Sequence, residues 1–216
     1  SDVCREILGS EQSLAVVSGP TFAMEVARGL PTAIVIASEQ EQHAENLASY
    51  LQNGAFRPYT SNDVIGVQVG GAAKNVMAIA AGISDGLGYG ANSRAALISR
   101  GLAEITRFGH ALGGQAETFM GLAGLGDLVL TCTDDQSRNR RLGLALASGK
   151  TIEEARQEIG QEVEGIGTTR EVYRKAREIG VEMPITDQAY RVLYENLPPE
   201  KAVQSLLSRQ VKPENC

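Results

Sequence analysis

The sequence predicts a mainly α-helical fold in which a small α/β segment precedes an all-helical domain. Two observations predict it. Up to residue 61, short β-branched runs alternate with short helical segments, which is typical of a sheet covered by helices. After Asn62 the strand signals nearly vanish, and apolar residues recur with helical spacing. We therefore predict an α/β segment over residues 1–61 and a helical domain over residues 62–216.

Three strands are expected in the first segment. The apolar run LAVVSGP, which ends in Gly19 and Pro20, predicts a buried strand, and a short helix closed by Gly29 follows it. The run TAIVIAS predicts a second strand. The run FRPYTS predicts a third strand at a sheet edge, because Pro58 has no amide hydrogen to donate. The helix between the last two strands has one apolar face, made of Ala44, Leu47, Ala48 and Leu51.

The helical domain begins with an apolar run from Val64 to Ile83. Its length approaches that of a membrane span, but it contains Gln68, Lys74, Asn75 and four glycines, so we expect a buried core helix. Further amphipathic helices follow, among them TIEEARQEIG and TTREVYRKAREIG. Before these two, the segment NSRAALISRGLAEITRFGHALGG has a helical apolar stripe at Leu97, Ile98, Leu102, Ile105, Phe108 and Leu112.

Composition and charge argue against several classes of function and of binding site. The net charge of −6 argues against broad attraction to nucleic acid or to an anionic membrane. The three cysteines, Cys4, Cys132 and Cys216, are widely spaced and form no disulfide framework, which fits a reducing cytosol. No cysteine pair has zinc-ligand spacing and only two histidines occur, so we expect no metal site.

Lys74 is the one ionisable residue between Gly66 and Gly82. Burying a lysine orders its side chain at a cost of about 1.5–2 kcal/mol and removes hydration from its charge, so a purely structural helix would use alanine or leucine. Nearby glycines allow another backbone or a ligand to approach. Two interpretations stay open. Either the lysine extends to a helix end or pairs with a distant carboxylate, or it lies in a closed site suited to proton transfer.

A second candidate lies in GLAGLGDLVLTCTDDQSRNRR. Asp127 follows three spaced glycines and either caps a helix or turn or takes part in a functional site. Downstream, a helix is expected to begin among three arginines, although each positive charge there is unfavourable by about 0.3–1 kcal/mol. Either a bound anion such as phosphate offsets that cost, or the arginines pair with Asp134 and Asp135. The three are Arg138, Arg140 and Arg141.

Two further segments are weaker candidates. SGPTFAMEVA places a strand end, Gly-Pro and a helix start together, which is the usual ligand position of an open α/β sheet. Glu162 and Glu164 lie in what composition predicts to be a glycine-flanked polar loop. No G-x-G-x-x-G follows a strand, so the phosphate cradle of a dinucleotide fold is not in this chain.

Together these stretches resemble the bacterial type of the NAD(P)-dependent glycerol-3-phosphate dehydrogenase family. The resemblance rests on VSGPTFAMEVARGLPTAIVIAS, GGAAKNVMAIAAGISDGLGYGANSRAALISRGLAEI, GLAGLGDLVLTCTDDQSRNRRLG, VEGIGTTREV and VEMPITDQAYRVLYE, in that order. It covers nearly the whole chain. It implies a helical dehydrogenase domain preceded by a remnant of a nucleotide-binding lobe, with NAD or NADP as cofactor.

The resemblance also implies residue roles. Lys74 corresponds to the proton acceptor, Asn75 accompanies it, and Asp127 orients the lysine and the substrate hydroxyls. Thr131 lies where a substrate-side hydroxyl is expected. The implied contacts with the phosphorylated substrate are Gly19, Thr21, Ser137, Arg138 and Asn139. The implied contacts with the cofactor are Ala23, Arg138, Glu162 and Glu164.

Three residues depart from the family pattern. Met24 stands where many members have lysine, so no charged role carries over. Ala73 replaces a larger aliphatic residue before Lys74. Glu162 stands where related sequences often have valine, so the resemblance implies no definite role for its side chain. We also expect the chain to be a C-terminal fragment that lacks most of the nucleotide lobe and is inactive alone.

The resemblance implies a cytoplasmic homodimer that acts on a small phosphate ester, without nucleic acid or an integral membrane segment, and supplies a glycerophospholipid precursor. Two other hypotheses remain. One is a dehydrogenase with a similar helical domain that acts on a different phosphorylated or acidic alcohol. The other is a non-catalytic helical module that binds a phosphate ester or mediates dimerisation.

Overall fold

The computed structural model describes residues 2–9, 11–210 and 213. They form a mainly α-helical protein with one three-stranded sheet, which confirms the predicted fold class. Cys216 and most of the C-terminal VKPENC lie outside the described residues.

The strands are β1 (Val16–Ser18), β2 (Thr32–Ala37) and β3 (Phe56–Ser61). A π-helix spans Leu122–Gly126. The α-helices are α1 (Asp2–Leu8), α2 (Ala23–Ala27), α3 (Glu41–Leu51), α4 (Val64–Gly86), α5 (Gly90–Ala111), α6 (Ala116–Phe119), α7 (Asp127–Thr133), α8 (Arg138–Ala147), α9 (Ile152–Ile159), α10 (Glu164–Glu178), α11 (Pro184–Tyr194) and α12 (Pro199–Leu207).

The described residues form two compact units. The first contains the described residues up to Lys74 and Ile105–Leu130, and the second contains Asn75–Glu104 and the described residues from Thr131 onward. The chain passes between the units three times, each time inside a helix: α4, α5 and α7. The predicted division after residue 61 follows a change in element type, since β3 ends at Ser61, and it stays a prediction as a domain boundary.

The first unit is built around β2. Ile34 and Ile36 face one side and pack with Ala44 of α3, whereas Ala37 faces the other side and packs with Val67 of α4 and Ala123 of the π-helix. The alternation of a strand thus buries both faces. Strand β2 is antiparallel to β1 and parallel to β3. Pro58 lies in the edge strand β3, as predicted.

One strand prediction was wrong in its burial. The run LAVVSGP was expected to form a buried strand, but Val17 in β1 is 54% exposed. The reason is position, because β1 lies at an edge of the sheet order β1-β2-β3 and runs for three residues only. Apolar composition alone does not separate a short edge strand from a buried one.

The second unit has an all-helical core. Ile79 and Ile83 of α4 pack with Leu142 and Leu146 of α8, and residues from α9, α11 and α12 complete the cluster. On its surface, Tyr173 of α10 stacks on Tyr190 of α11 with ring centroids 3.8 Å apart. The predicted amphipathic helices therefore bury their apolar faces against one another.

Helix α4 is the one described helix that is long and apolar enough to cross a membrane. Its residues Val76, Met77 and Ala78 are fully buried within the protein. Asp63 precedes its first turn and accepts a hydrogen bond from the Gly66 amide at 2.8 Å. These contacts are those of a core helix, as the sequence predicts.

Candidate functional site

Lys74 forms an ion pair with Asp127 in the first unit. Lys74 Nζ on α4 donates to Asp127 Oδ2 in the first turn of α7. The side chains are 20% and 3% exposed. Two charges so far out of water are tolerated because each is the other's partner. The open question about Lys74 is answered in part, since it pairs with a carboxylate 53 positions away, and that pairing is compatible with proton transfer.

The pair lies in a cleft of about 380 Å³ within the first unit. Four residues predicted from the resemblance line it together: Gly19, Thr21, Lys74 and Asp127. Ser18, Gln68 and Gly71 line it as well; Gly71 is one of the glycines expected to allow a close approach, whereas sequence reasoning assigned no role to Ser18 or Gln68. Gln68 could have been noticed from the sequence, because it is a polar residue six positions before Lys74 in an apolar run.

The turn after β1 has a fixed shape. Gly19 has φ +144°, which L side chains rarely adopt, and a Cβ there would approach the Ala33 carbonyl oxygen to 3.1 Å. Thr21 Oγ1 donates to the Gly19 carbonyl at 3.1 Å. The Gly-Pro-Thr sequence therefore closes one side of the cleft with a backbone that only glycine allows.

Glycines bring α4 close to its neighbours. A Cβ at Gly70 would lie 2.5 Å from the carbonyl oxygen of Ala123 in the π-helix, and one at Gly71 would lie 2.6 Å from Ser18 Oγ. Since the π-helix leads directly into Asp127, the approach at Gly70 helps to set the distance between Asp127 and Lys74. The expectation of a close backbone approach is confirmed.

In the second unit, Asn75 begins a chain of hydrogen bonds. Asn139 Nδ2 donates to Asn75 Oδ1 at 2.9 Å, and Asn139 Oδ1 accepts from the Gly165 amide at 2.9 Å. Asn75 and Asn139 are 7% and 8% exposed. The Asn139 amide is therefore held from both sides, and it satisfies one of the first amides of α10.

Helix α8 begins among the predicted phosphate contacts. Ser137 is its N-cap, with Oγ accepting from the Arg140 amide at 3.2 Å. Arg138, the first helical residue, donates from Nη1 to the Glu162 carbonyl at 2.9 Å and lies 3.8 Å from the Glu164 carboxylate. Its side chain is still 39% exposed, so its charge remains accessible.

Arg140 differs from Arg138. It is 7% exposed, forms an ion pair with Asp85, and donates from Nε to Asp135 Oδ1 at 2.9 Å. Burial alone would lower its pKa, but the hydrogen bonds to the two carboxylates outweigh burial and raise it. For Arg140, pairing with carboxylates is thus the correct alternative. Asp85 was not foreseen as a partner, because it lies 55 positions away.

Four residues predicted from the resemblance lie outside the contacts described so far or differ from their expected setting. Thr131 is buried in α7, and Ala23 is exposed at the start of α2. The Glu162 carboxylate faces Arg156, at 3.3 Å, so Arg138 meets only its carbonyl. Glu164 was expected in a loop but is the first residue of α10, since the amphipathic pattern starts earlier than the glycines indicate.

The two departures near the cleft cause no conflict within the fold. Met24 is 59% exposed, and Ala73 is fully buried. Among the residues that the structure describes, no group of three histidine, cysteine or acidic side chains is arranged to hold a metal ion.

Comparisons with known proteins agree on one family. The family model for the C-terminus of NAD-dependent glycerol-3-phosphate dehydrogenase matches residues 63–204, and the model for its N-terminus matches residues 1–44. Among curated relatives, glycerol-3-phosphate dehydrogenase (NAD(P)+) from Shewanella halifaxensis is 59% identical over 214 residues. The enzyme of that name from Methylococcus capsulatus is 60% identical over 213 residues.

Solved structures extend the agreement to the fold. A crystal structure of glycerol-3-phosphate dehydrogenase from Coxiella burnetii has a TM-score of 0.93 at 52% identity, over 96% of this chain and 64% of that one. The enzyme from Saccharomyces cerevisiae has a TM-score of 0.85 at 29% identity, over 97% of this chain and 63% of that one.

The matches cover nearly all of this chain but a smaller share of each relative. The matches span 99% of this chain but 63% and 64% of the Shewanella and Methylococcus relatives. The chain thus spans under two thirds of the length of these relatives, and within that span both family models apply. The chain belongs to the NAD-dependent glycerol-3-phosphate dehydrogenase family.

Proposed function

We propose that the full-length protein interconverts sn-glycerol 3-phosphate and dihydroxyacetone phosphate by hydride transfer with NAD or NADP. The observation that carries the proposal is the Lys74–Asp127 ion pair, which lies in a cleft together with Gly19 and Thr21. A basic group with an oriented carboxylate partner is what proton transfer at a substrate hydroxyl needs. Membership of the family supplies the substrate class.

The proposed role of Lys74 is to move one proton. In oxidation, the ion-paired Lys74 first releases a proton to solvent; the O–H bond at C2 of glycerol 3-phosphate then breaks, its proton passes to the neutral amine at Lys74 Nζ, and the C–O bond becomes a carbonyl as the hydride leaves C2. The nicotinamide, when bound, supplies the acceptor for the hydride that leaves C2. Asp127 stabilises the ammonium that forms and holds the amine in place. In reduction, Lys74 returns the proton to the new alkoxide.

The substrate phosphate is assigned to the start of α8. Support comes from the accessible Arg138 guanidinium, from the helix N-terminus capped by Ser137, and from the fixed Asn139 amide. A helix N-terminus and an arginine both favour a phosphate. Gly19, Thr21 and Thr131 are proposed as further substrate contacts, and Asn75 as the residue that holds Asn139.

The cofactor contacts proposed for this chain are few. Ala23 is small and exposed, and Arg138 is accessible while its Nη1 binds the Glu162 carbonyl. These features fit backbone and arginine contacts at the edge of a nucleotide. Glu162 is proposed to act only through its carbonyl, since its carboxylate faces Arg156. Glu164 is proposed as a cofactor contact because its carboxylate lies beside Arg138.

We also propose that the full-length protein is a cytoplasmic homodimer that supplies a precursor for glycerophospholipids. Family membership and the scattered cysteines support this assignment. Sedimentation equilibrium of the full-length protein is expected to give twice the mass of one chain, and a monomer across the micromolar range would contradict the dimer.

The Lys74→Ala variant of the full-length enzyme tests the base assignment. We expect kcat to fall by about 10²–10⁴-fold, the usual contribution of a positioned acid or base. The apparent affinity for inorganic phosphate as an inhibitor should change little, because the phosphate contacts are assigned to other residues. Oxidation of NADH with dihydroxyacetone phosphate measures both quantities.

The matched control is Lys201→Ala, which removes an exposed lysine from α12. It is expected to keep wild-type kinetics. Near-normal kcat in Lys74→Ala would refute the base assignment. If the wild-type protein bound glycerol 3-phosphate and NADH without turnover, the non-catalytic module would be the better hypothesis. Preferred turnover of a different polyol phosphate would favour the related dehydrogenase.

A further inference from the structure

Arg140 is a buried cation for which the proposed reaction has no direct use. It follows Arg138 and Asn139 on α8, yet its guanidinium points away from solvent, with its side chain 8% exposed. It contacts Asp85, Asp135 and, from Nη1 at 3.3 Å, the Cys132 carbonyl. All of these residues belong to the second unit.

Asp85 joins Arg140 to the end of α4. Its Oδ2 accepts from Arg140 and also from Arg94 of α5. Its Oδ1 is buried and has no hydrogen-bond partner among the described residues. Two guanidinium groups are thus balanced by the carboxylates of Asp85 and Asp135. Arg140 is therefore committed to internal contacts and is not available to bind an anion.

The backbones of α8 and α4 touch directly beside this ion pair. A Cβ at Gly82 would lie 2.1 Å from the Arg140 carbonyl oxygen, and one at Gly143 would lie 2.1 Å from the Ile79 carbonyl oxygen. One turn away, Asn139 bonds to Asn75. Glycine contacts set the separation of two helices but leave them free to slide and rotate. A side-chain pair on either side of the contact removes that freedom.

We propose that Arg140 is a positioning residue for binding of the substrate phosphate. Its ion pair with Asp85 fixes the rotation of the first turn of α8 against α4, and its ion pair with Asp135 holds the segment that leads into α8. Together they fix Arg138 and Asn139, the proposed phosphate contacts. The proposal rests on the proposed function. A misplacement of about 1 Å in such a contact is enough to weaken binding strongly.

The test compares Arg140→Met, Arg140→Lys and Asp135→Asn in the full-length enzyme. For Arg140→Met we expect the KM for dihydroxyacetone phosphate and the inhibition constant of inorganic phosphate to rise together by about tenfold, with kcat within about threefold of wild type. In Arg140→Lys both constants should rise less than in Arg140→Met, because lysine keeps the positive charge but cannot hydrogen-bond Asp85 and Asp135 together as the guanidinium does. Asp135→Asn should raise both constants by about threefold.

Arg174→Met is the matched control, since Arg174 is a 70% exposed arginine in the same unit. It should leave both constants unchanged. The proposal is overturned if folded Arg140→Met keeps both constants within about twofold of wild type, or loses kcat alone. If Arg140→Met does not fold, the other two variants decide by the same criterion, since Asp135 is 71% exposed. Absence of turnover in the wild type would instead contradict the proposed function.

Discussion

Gly165 and Gly167 lie two positions apart in α10 and have opposite surroundings. A Cβ at Gly165 would meet Asn139 Oδ1 at 2.4 Å and Ile79 Cδ1 at 2.8 Å, whereas a Cβ at Gly167 would meet nothing within 4 Å. The first glycine is therefore needed for the fixed Asn139 amide. The second glycine has no neighbour that a Cβ would touch. Replacing each glycine by alanine therefore distinguishes the effect of steric crowding at Gly165 from the effect of helix propensity at Gly167.

We expect Gly165→Ala to destabilise the protein by about 1–3 kcal/mol, the usual cost of overpacking. Gly167→Ala should instead stabilise it by up to about 1 kcal/mol, because alanine loses less backbone entropy in a helix. Urea unfolding followed by circular dichroism measures both. Equal effects of the two substitutions would show that the close contact at Gly165 is not maintained in solution.

At the scale of single residues, the sequence indicated which side chains are unusual better than it indicated which side chains they pair with. Lys74 was singled out by its apolar neighbours, but its pairing with Asp127 came from the family resemblance. Asp85 escaped notice because no local pattern relates it to Arg140. Long-range partners depend on how helices pack, and helix periodicity gives only which face of each helix is buried.

At the scale of elements, α9 shows how a local sequence fixes a helix start. Thr151 Oγ1 accepts from the Glu154 amide at 3.2 Å, and the Glu154 carboxylate accepts from the Thr151 amide at 2.7 Å, which is a complete capping box. These hydrogen bonds from the Thr151 backbone and hydroxyl lower the pKa of Glu154 below its ordinary value of 4.5.

A lowered pKa in the folded state makes this cap sensitive to acid. Its stabilisation is present above the ordinary value of 4.5 and is lost as the pH falls through the lowered folded value. We therefore expect Glu154→Gln to lower Tm at neutral pH, and the difference from wild type to shrink below pH 4.5. Thermal unfolding across an acid series measures this.

Glu153→Gln is the control, because it removes a charge from the same first turn without touching the box. It corrects for the general effect of an acidic residue near a helix N-terminus. A Tm difference for Glu154→Gln that is constant from neutral to acid pH would contradict the role assigned to its charge.

Element prediction succeeded where periodicity was strong. The long stripe of α5 was confirmed, and so was the edge position of β3, which rested on Pro58 and not on periodicity. Two features escaped prediction for physical reasons. The antiparallel pairing of β1 with β2 depends on the short α2 connection rather than on strand composition. The π-helix LAGLG has too few residues for its period to be distinguished from that of an α-helix.

At the scale of the whole molecule, the burial of the long apolar helix determines whether the protein binds membranes. Helix α4 has the length and composition of a span, but 61% of its most apolar stretch is buried inside the protein. The net charge of −6 also repels anionic lipid. We expect the 216-residue chain not to pellet with phosphatidylcholine vesicles or with phosphatidylserine vesicles in a co-sedimentation assay.

The two lipid compositions separate two effects. Binding to both kinds of vesicle would mean that the apolar face of α4 becomes available to lipid. Binding to phosphatidylserine alone would indicate a local basic patch that the net charge conceals. The first result would contradict the assignment of α4 to the protein core, and the second would contradict the expectation drawn from the net charge.

Because of the π-helix before Asp127, the direction of that carboxylate tolerates the loss of one residue. A π-helical turn holds one residue more than an α-helical turn, and each residue of an α-helix turns the chain by about 100°. Deleting one residue within Leu122–Gly126 would let the segment continue as an ordinary α-helix. Because one α-helical turn would replace one π-helical turn, Asp127 would keep about its present direction toward Lys74, whereas the loss of a residue from an ordinary α-helix would turn it by about 100°.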